Sequence, residues 1–136
     1  MSTARQAGCA ALCAVVLGTA ALAASPLDGR WTLTDRRALG GSAGDGGPEV
    51  TLEIEGGNVA ASAGCNRAAG SIKEQAGRLQ IGPLASTMMA CPPAVAKIEA
   101  RYFGVLERGP SWRIDGDRLT LSAAGDTLTF KRTPGK

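Results

Sequence analysis

The stretch that decides the fold opens with Gly64-Cys65-Asn66-Arg67 and closes with Ser86-Thr87-Met88-Met89-Ala90-Cys91-Pro92-Pro93. Between these two motifs the sequence predicts two short strands joined by a turn, and Pro92-Pro93 begins the helix expected in the folded part of the chain. A bond between Cys65 and Cys91 would therefore tie that helix to the strands. The pattern says much about the fold and little about an activity.

The N-terminal segment has the features of a cleaved export signal. Its first residues carry one charge, Arg5, and an uncharged apolar run from Cys9 to Ala24 ends in the small-residue motif Ala21-Leu22-Ala23. We expect a signal peptide over 1–23 with cleavage after Ala23. Removal of 23 of the 136 residues leaves a mature domain over 24–136.

Two other readings of this segment are less consistent with the sequence. A retained membrane anchor would need a longer apolar run, and Ser25-Pro26 follows this one directly. Lipid attachment would need a cysteine at the end of the run, whereas Cys9 and Cys13 lie near its beginning. We therefore expect no stable membrane anchor after cleavage.

Export also changes the meaning of the two remaining cysteines. In an oxidising compartment, two cysteines left in a small domain usually form a disulfide. Closing the loop from Cys65 to Cys91 would stabilise the fold by about 3–4 kcal/mol on the chain-entropy estimate. The alternative is a pair of buried free thiols that only pack.

Charge and composition argue against several functions. The chain has 15 Lys and Arg against 12 Asp and Glu, and loss of Arg5 lowers the net charge from +3 to +2. Apart from Arg36-Arg37 the basic residues are spread singly and without interleaved aromatic residues, so nucleic-acid binding is not indicated. The sequence contains no histidine and no acidic cluster with metal-ligand spacing. We therefore expect a protein that is not an enzyme and has no metal or cofactor.

Alternating apolar residues predict seven or eight short strands, with candidates at 30–35, 50–55, 58–63, 70–74, 78–81, 111–114, 118–122 and 127–131. A helix is expected from about Pro93 to Glu107. Its predicted apolar stripe is Val95, Ile98, Tyr102, Val105 and Leu106, and Lys97, Glu99, Arg101 and Arg108 are predicted largely on the other face.

So many strands in so small a domain favour a curled sheet over a flat one. The predicted fold class is mainly β (α+β): a small, barrel-like antiparallel sheet with one amphipathic helix over an open side or end. The glycine-rich stretch from Gly40 to Pro48 is predicted to be a flexible loop.

These motifs together resemble the META domain, a family shared with the heat-shock protein HslJ. The resemblance runs from Trp31 in the first strand, through both cysteine motifs and the helix, to the closing hairpin at Gly116-Asp117-Arg118-Leu119-Thr120-Leu121. The family motif residues are Gly64, Cys65, Asn66, Gly70, Thr87, Met88, Met89 and Cys91.

What the resemblance implies is a small barrel-like domain of bacterial envelope proteins, many of them lipoproteins, linked to stress responses. It carries no established catalytic residues. Because no cysteine here suits lipid attachment, we expect a soluble monomer in the periplasm or secreted from the cell.

Three functional hypotheses remain open. The first is stress tolerance through binding of an envelope protein or small ligand, in which Met88 and Met89 form an adaptable apolar patch. For these methionines we favour packing in the core, and for Asn66 we favour a role in satisfying its own bend over a place with Arg67 in a surface recognition site. The second is inhibition of a periplasmic lysozyme or protease by a rigid loop. The third is thiol redox sensing by Cys65 and Cys91, with Cys91 near a helix N-terminus.

Overall fold

The computed structural model describes residues 25–41 and 47–134. The predicted signal peptide over 1–23 lies outside these residues, as do residues 42–46 of the glycine-rich loop. Within the described part there are nine strands, one α-helix and one short 3-10 helix. The strands are β1 Gly29–Leu33, β2 Thr51–Glu55, β3 Asn58–Ser62, β4 Arg67–Gln75, β5 Arg78–Ile81, β6 Ala85–Ser86, β7 Ser111–Asp115, β8 Arg118–Ala123 and β9 Asp126–Thr133. Helix α1 is Pro93–Glu107, and the 3-10 helix is Arg36–Leu39.

Eight of the strands form a closed antiparallel barrel. The strand order is β3-β2-β1-β9-β8-β7-β5-β4, and pairing of β3 with β4 closes the ring. Strand β6 adds a short pairing to β4, in which Ala68 lies opposite Ser86. The predicted mainly β fold with one helix is therefore confirmed, and its sheet is a complete ring.

The barrel interior is filled by the alternating apolar residues that predicted the strands. Trp31, Leu52, Leu119, Leu121, Leu128 and Phe130 are all fully buried. Burial on this scale is the main source of stability in a domain of this size.

Helix α1 covers one end of the barrel. The Tyr102 hydroxyl donates a hydrogen bond of 2.8 Å to the Thr51 carbonyl at the beginning of β2, and the Tyr102 ring lies 6.2 Å from that of Phe130. Arg101 donates to Asp126, the first residue of β9, at 2.8 Å. These contacts place the helix over the end where β2 and β9 begin. Among the described residues, no helix has the length and apolar character needed to cross a membrane.

The chain leading into β1 is tied to the barrel by two side chains. The Trp31 indole donates to the Leu27 carbonyl at 2.9 Å, and the Arg132 guanidinium stacks on the Trp31 ring with 4.2 Å to its centroid. Arg132 also donates to the carbonyls of Asp28 and Pro26. These contacts fix the three residues before β1, Pro26, Leu27 and Asp28, against the barrel.

Three local features differ from the prediction. Strand β4, Arg67–Gln75, is longer than the 70–74 expected, because its first residues pair with β3. Strand β6 was not predicted, since two residues carry no visible alternation. The 3-10 helix was predicted as the beginning of a loop, although Asp35 caps it by accepting from the Arg37 amide.

Candidate functional site: the methionine loop

A loop between β6 and α1 presents two methionines to solvent. We call residues 87–92 the methionine loop. The Met88 side chain is 94% exposed and that of Met89 57%, and these are the large apolar side chains exposed in the described part of the chain. The prediction that they pack in the core is wrong.

A disulfide fixes one end of this loop to the barrel. Cys65, in the connection between β3 and β4, is bonded to Cys91, with 6.1 Å between their Cα atoms. Cys91 lies two residues before the first residue of α1. The predicted disulfide is confirmed, and the alternative of two free thiols is wrong. The bond ties the helix entrance to the barrel wall.

The Asn66 side-chain oxygen fixes the middle of the loop. It accepts hydrogen bonds from the Met89 amide at 2.7 Å and from the Thr87 hydroxyl at 2.9 Å. Thr87 is held in turn by Arg67, whose amide donates to the Thr87 hydroxyl and whose carbonyl accepts from the Thr87 amide, both at 3.0 Å. Asn66 therefore holds a segment more than twenty residues away, and the prediction that it satisfies its own bend is wrong.

The Asn66 donors are taken by a buried carboxylate on the helix. The main-chain N–H of Asn66 donates to Glu99 Oε1 at 2.7 Å, and the side-chain Nδ2 of Asn66 donates to Glu99 Oε2 at 2.8 Å. Asn66 is 8% exposed and Glu99 7%. A buried carboxylate is tolerated only when its oxygens accept good hydrogen bonds, and here both do.

The side-chain amide of Asn66 also contacts the disulfide. Asn66 Nδ2 lies 3.3 Å from Cys91 Sγ. One asparagine thus contacts the loop, the helix and the disulfide, and this explains why a buried amide is needed at this position. We call Cys65, Asn66, Thr87, Cys91 and Glu99 the polar cluster.

Glu99 was predicted on the solvent-facing side of the helix, and that prediction is wrong. A signal for its burial was present in the sequence. Glu99 follows Val95 by four residues and precedes Tyr102 by three, so it lies within the apolar stripe rather than opposite it.

Two motif glycines are explained by close approaches of the backbone. Gly64 has φ of +103°, and a Cβ there would lie 2.0 Å from Cβ of Pro48. Neither the backbone angle nor the space admits a side chain. At Gly70 a Cβ would lie 3.1 Å from the Pro83 carbonyl oxygen, in the chain leading to β6. Gly64 thus adjoins the polar cluster, while Gly70 lies outside it and lets β4 approach the neighbouring segment.

The cluster positions a loop and leaves no obvious group free for chemistry. Its acid, Glu99, accepts hydrogen bonds from Asn66 at both oxygens, and its two sulfurs are bonded to each other. What remains available to another molecule is the pair of thioether side chains on a backbone held at Thr87, Met89 and Cys91.

The molecule is thus a small antiparallel barrel with a helix over one end and a disulfide joining the two. The sequence profile of the META domain matches residues 21–135, and the chain belongs to this family. The resemblance found in the cysteine motifs is thereby confirmed.

Two solved structures are similar to the chain. One, an NMR structure of a protein from Burkholderia xenovorans, is 28% identical, with a TM-score of 0.62, and the match covers 79% of this chain and 83% of that one. The other, also an NMR structure, is 26% identical with a TM-score of 0.61, covering 78% of this chain and 90% of that one. No curated protein matches the chain.

Proposed function

We propose that the chain is an exported, non-enzymatic domain that contributes to stress tolerance of the cell envelope by binding a partner protein through the methionine loop. The observation that carries the proposal is Met88, 94% exposed on a loop whose backbone is fixed on both sides. Membership of the META domain family suggests the stress-related role.

The contacts that fix the loop backbone favour binding, because little conformational entropy of the loop is left to lose when a partner associates. Ordering a flexible loop on association costs free energy, and a loop already held in one conformation avoids most of that cost. Methionine suits the contact because its unbranched thioether side chain adapts to irregular apolar surfaces. A single exposed apolar residue is ordinary on a protein surface, but a braced pair is less so.

Two features support export. The first 23 residues have the pattern of a cleaved signal peptide, and a disulfide of this kind is usual in oxidising compartments. No cysteine follows the apolar run closely, so the proposed location is the periplasm or the exterior, without a lipid anchor.

The test combines crosslinking with matched substitutions. A photo-crosslinking amino acid at position 88 should trap a protein in the host envelope, whereas the same group at Gln80, exposed on β5, should not. The trapped protein, once purified, should bind the wild-type chain and the Met88→Leu variant, which keeps the apolar side chain. Met88→Asp should weaken binding by about tenfold or more, because the partner surface would have to bury a charge.

The outcome in cells separates a role of the loop from a role of the fold. Met88→Asp with Met89→Asp should reduce stress tolerance of a strain that lacks the native protein as much as deletion does, with the melting temperature unchanged. Full tolerance in that variant would contradict the proposal, since the loop would then have no part in the function.

A second candidate uses the same loop as an inhibitor of a periplasmic lysozyme or protease. The observation that favours it is the presentation of Met88 between two fixed points, as a residue entering an active-site cleft would need. An inhibitor should block one hydrolase at 1:1 stoichiometry and lose that effect in Met88→Asp. If a panel of envelope lysozymes and proteases retains full activity, binding without inhibition is the better account.

The polar cluster argues against the third hypothesis, thiol redox sensing. The Asn66 amide that contacts Cys91 Sγ also binds the Glu99 carboxylate. The bond between Cys65 and Cys91 is thus part of the hydrogen-bonded cluster that holds the loop, which favours a structural bond over a reactive one.

A further inference from the structure

A groove lies between helix α1 and the segment that follows β1. It has a volume of about 570 Å³, within the range of roughly 300–1,000 Å³ that is usual for small-molecule sites. The 3-10 helix forms one side, and Ala94, Lys97 and Arg101 on a single face of α1 form the other. On the helix, the first lining residue is Ala94, two residues after the methionine loop ends, and no residue of that loop lines the groove.

The bottom of the groove is apolar. Leu39 and Ile98 line it and are 2% and 5% exposed, so they belong to the barrel core and present only a small part of their surface. Val95, partly buried, extends this surface toward the beginning of the helix. An apolar group resting here would be removed from water on the protein side.

The upper part of the groove is cationic. Among the residues that the structure describes, the charged lining residues are Arg36, Lys97 and Arg101, and none of the described lining residues is acidic. Lys97 is exposed and takes part in none of the salt bridges between described residues. Arg101 donates one guanidinium nitrogen to Asp126, and a guanidinium has five N–H donors, so most remain for another acceptor.

We propose that this groove binds a small amphipathic carboxylate. The carboxylate group lies against Lys97 and Arg101, and its apolar body lies on Leu39 and Ile98. A neutral apolar molecule would cover the Lys97 ammonium without pairing its charge, which is unfavourable. A small inorganic anion would leave the apolar bottom unused. The proposal stands independently of the binding function proposed for the methionine loop.

The first test uses decanoate as the probe, below its micelle concentration, and follows amide resonances of the purified chain by NMR. Decanoate should shift the resonances of residues 94–101, and it should bind at least about tenfold more tightly than decanol or acetate, each of which lacks one half of the recognition. Equal binding of decanol would overturn the proposal, as would shifts confined to residues outside the groove.

The second test reverses the charge at the groove and at a matched position. Lys97→Glu should weaken decanoate binding by about tenfold or more, while Lys73→Glu, on the exposed face of β4, should leave it within twofold. Both variants should keep the wild-type melting temperature, since both side chains are exposed. Equal loss of affinity in the two variants would show a general charge effect and overturn the site. Adsorption to anionic lipid vesicles without binding of monomeric decanoate would overturn the choice of ligand.

Discussion

The barrel wall and the methionine loop place polar and apolar side chains in opposite ways. In the wall, Leu52 and Phe130 point inward and are fully buried. Beside the loop, Asn66 and Glu99 are buried, while Met88 is 94% exposed. The wall is therefore held by burial of apolar surface, and the loop by hydrogen bonds and one covalent bond. This difference leaves the apolar atoms of the loop available for contact with another molecule.

The contrast also explains why the loop needs so complete a hydrogen-bond network. An apolar anchor would tolerate small shifts, but a buried amide and a buried carboxylate are stable only while each is paired. The network therefore specifies a single loop conformation.

The largest expected effect comes from converting Asn66 to an acid. In the wild-type protein Asn66 Nδ2 donates to Glu99 Oε2 at 2.8 Å. Asn66→Asp replaces this donor with an oxygen that faces the Glu99 side chain. The variant loses a buried hydrogen bond and places two acidic groups against each other, which should lower the free energy of unfolding by about 3–5 kcal/mol, the usual effect of breaking a buried charged pair. Urea unfolding at neutral pH measures it.

The control is Asn58→Asp, the same change at an exposed residue of β3, which should lower the free energy of unfolding by no more than about 1 kcal/mol, because it places a second acid opposite Glu55. Adding Glu99→Gln to Asn66→Asp should restore part of the loss, because the glutamine amide can donate to the new carboxylate. Equal stability of the two single variants would mean that the Asn66 and Glu99 contacts do not hold the loop.

The next effect in size comes from the disulfide. Replacing both Cys65 and Cys91 by Ser should lower the free energy of unfolding by about 3–4 kcal/mol, because the bond closes a loop between residues 26 apart in sequence. The comparison is made by thermal and urea unfolding of the two proteins under the same oxidising conditions. The barrel strands should keep their amide protection in the folded variant, while the Thr87 and Met89 amides, which donate hydrogen bonds from the methionine loop, should lose theirs.

A reduction experiment then distinguishes a structural bond from a regulatory one. We expect the native protein to resist dithiothreitol at concentrations that reduce the urea-unfolded chain within minutes. Rapid reduction of the folded protein would instead favour the redox-sensing hypothesis.

The barrel could be predicted from the sequence because its strands alternate, as in Val50-Thr51-Leu52-Glu53-Ile54-Glu55, and alternation reports directly which face is buried. The bounds of the helix were also predictable, because proline is tolerated in the first turn, as at Pro93, and glycine followed by proline ends a helix, as at Gly109-Pro110. Strand β6 gave no such signal, since it is short and both of its residues are exposed.

The site was only partly predictable. The cysteine pair could be anticipated, but the side chains around it were assigned by average behaviour: methionines inside, an acid outside. The structure reverses both assignments. Met88 is exposed because hydrogen bonds fix Thr87 and Met89 and the disulfide fixes Cys91, and its side chain points outward from that backbone. Glu99 is buried because Asn66 offers it two donors. Such pairing joins residues 33 apart, which periodicity cannot show.

A smaller effect is expected from trimming the exposed methionine. Met88→Ala should change the free energy of unfolding by no more than about 0.5 kcal/mol, since the side chain has little contact to lose. The matched change Leu128→Ala, at a fully buried position, should lower it by about 2–5 kcal/mol. Urea unfolding of the two variants measures the difference. A loss of 2 kcal/mol or more at Met88 on that scale would place its side chain in the fold rather than in solvent.

The smallest expected effect is the pH dependence of the ion pair between the helix and β9. The hydrogen bond from Arg101 holds the pKa of Asp126 below its ordinary value of 3.8, with the positive charges of Arg101 and Arg108 adding to the effect and desolvation opposing it. The folded state therefore binds a proton at Asp126 less readily than the unfolded state does. The contribution to stability is present in full above the ordinary pKa and is lost as the pH falls through the lower value of the folded state.

Asp126→Asn removes this titration while keeping the size of the side chain. The wild-type protein should be slightly more stable than the variant at about pH 6, and the difference should shrink as the pH approaches about 2. Melting temperatures across this range, at low salt so that screening does not hide an exposed pair, measure it. Because Arg101 also lines the groove, the variant frees its guanidinium, and decanoate should then bind Asp126→Asn at least as well as the wild type. If the stability advantage of the wild-type protein over Asp126→Asn instead grew toward low pH, the folded state would favour the protonated form of Asp126. That result would contradict a pKa below the ordinary value.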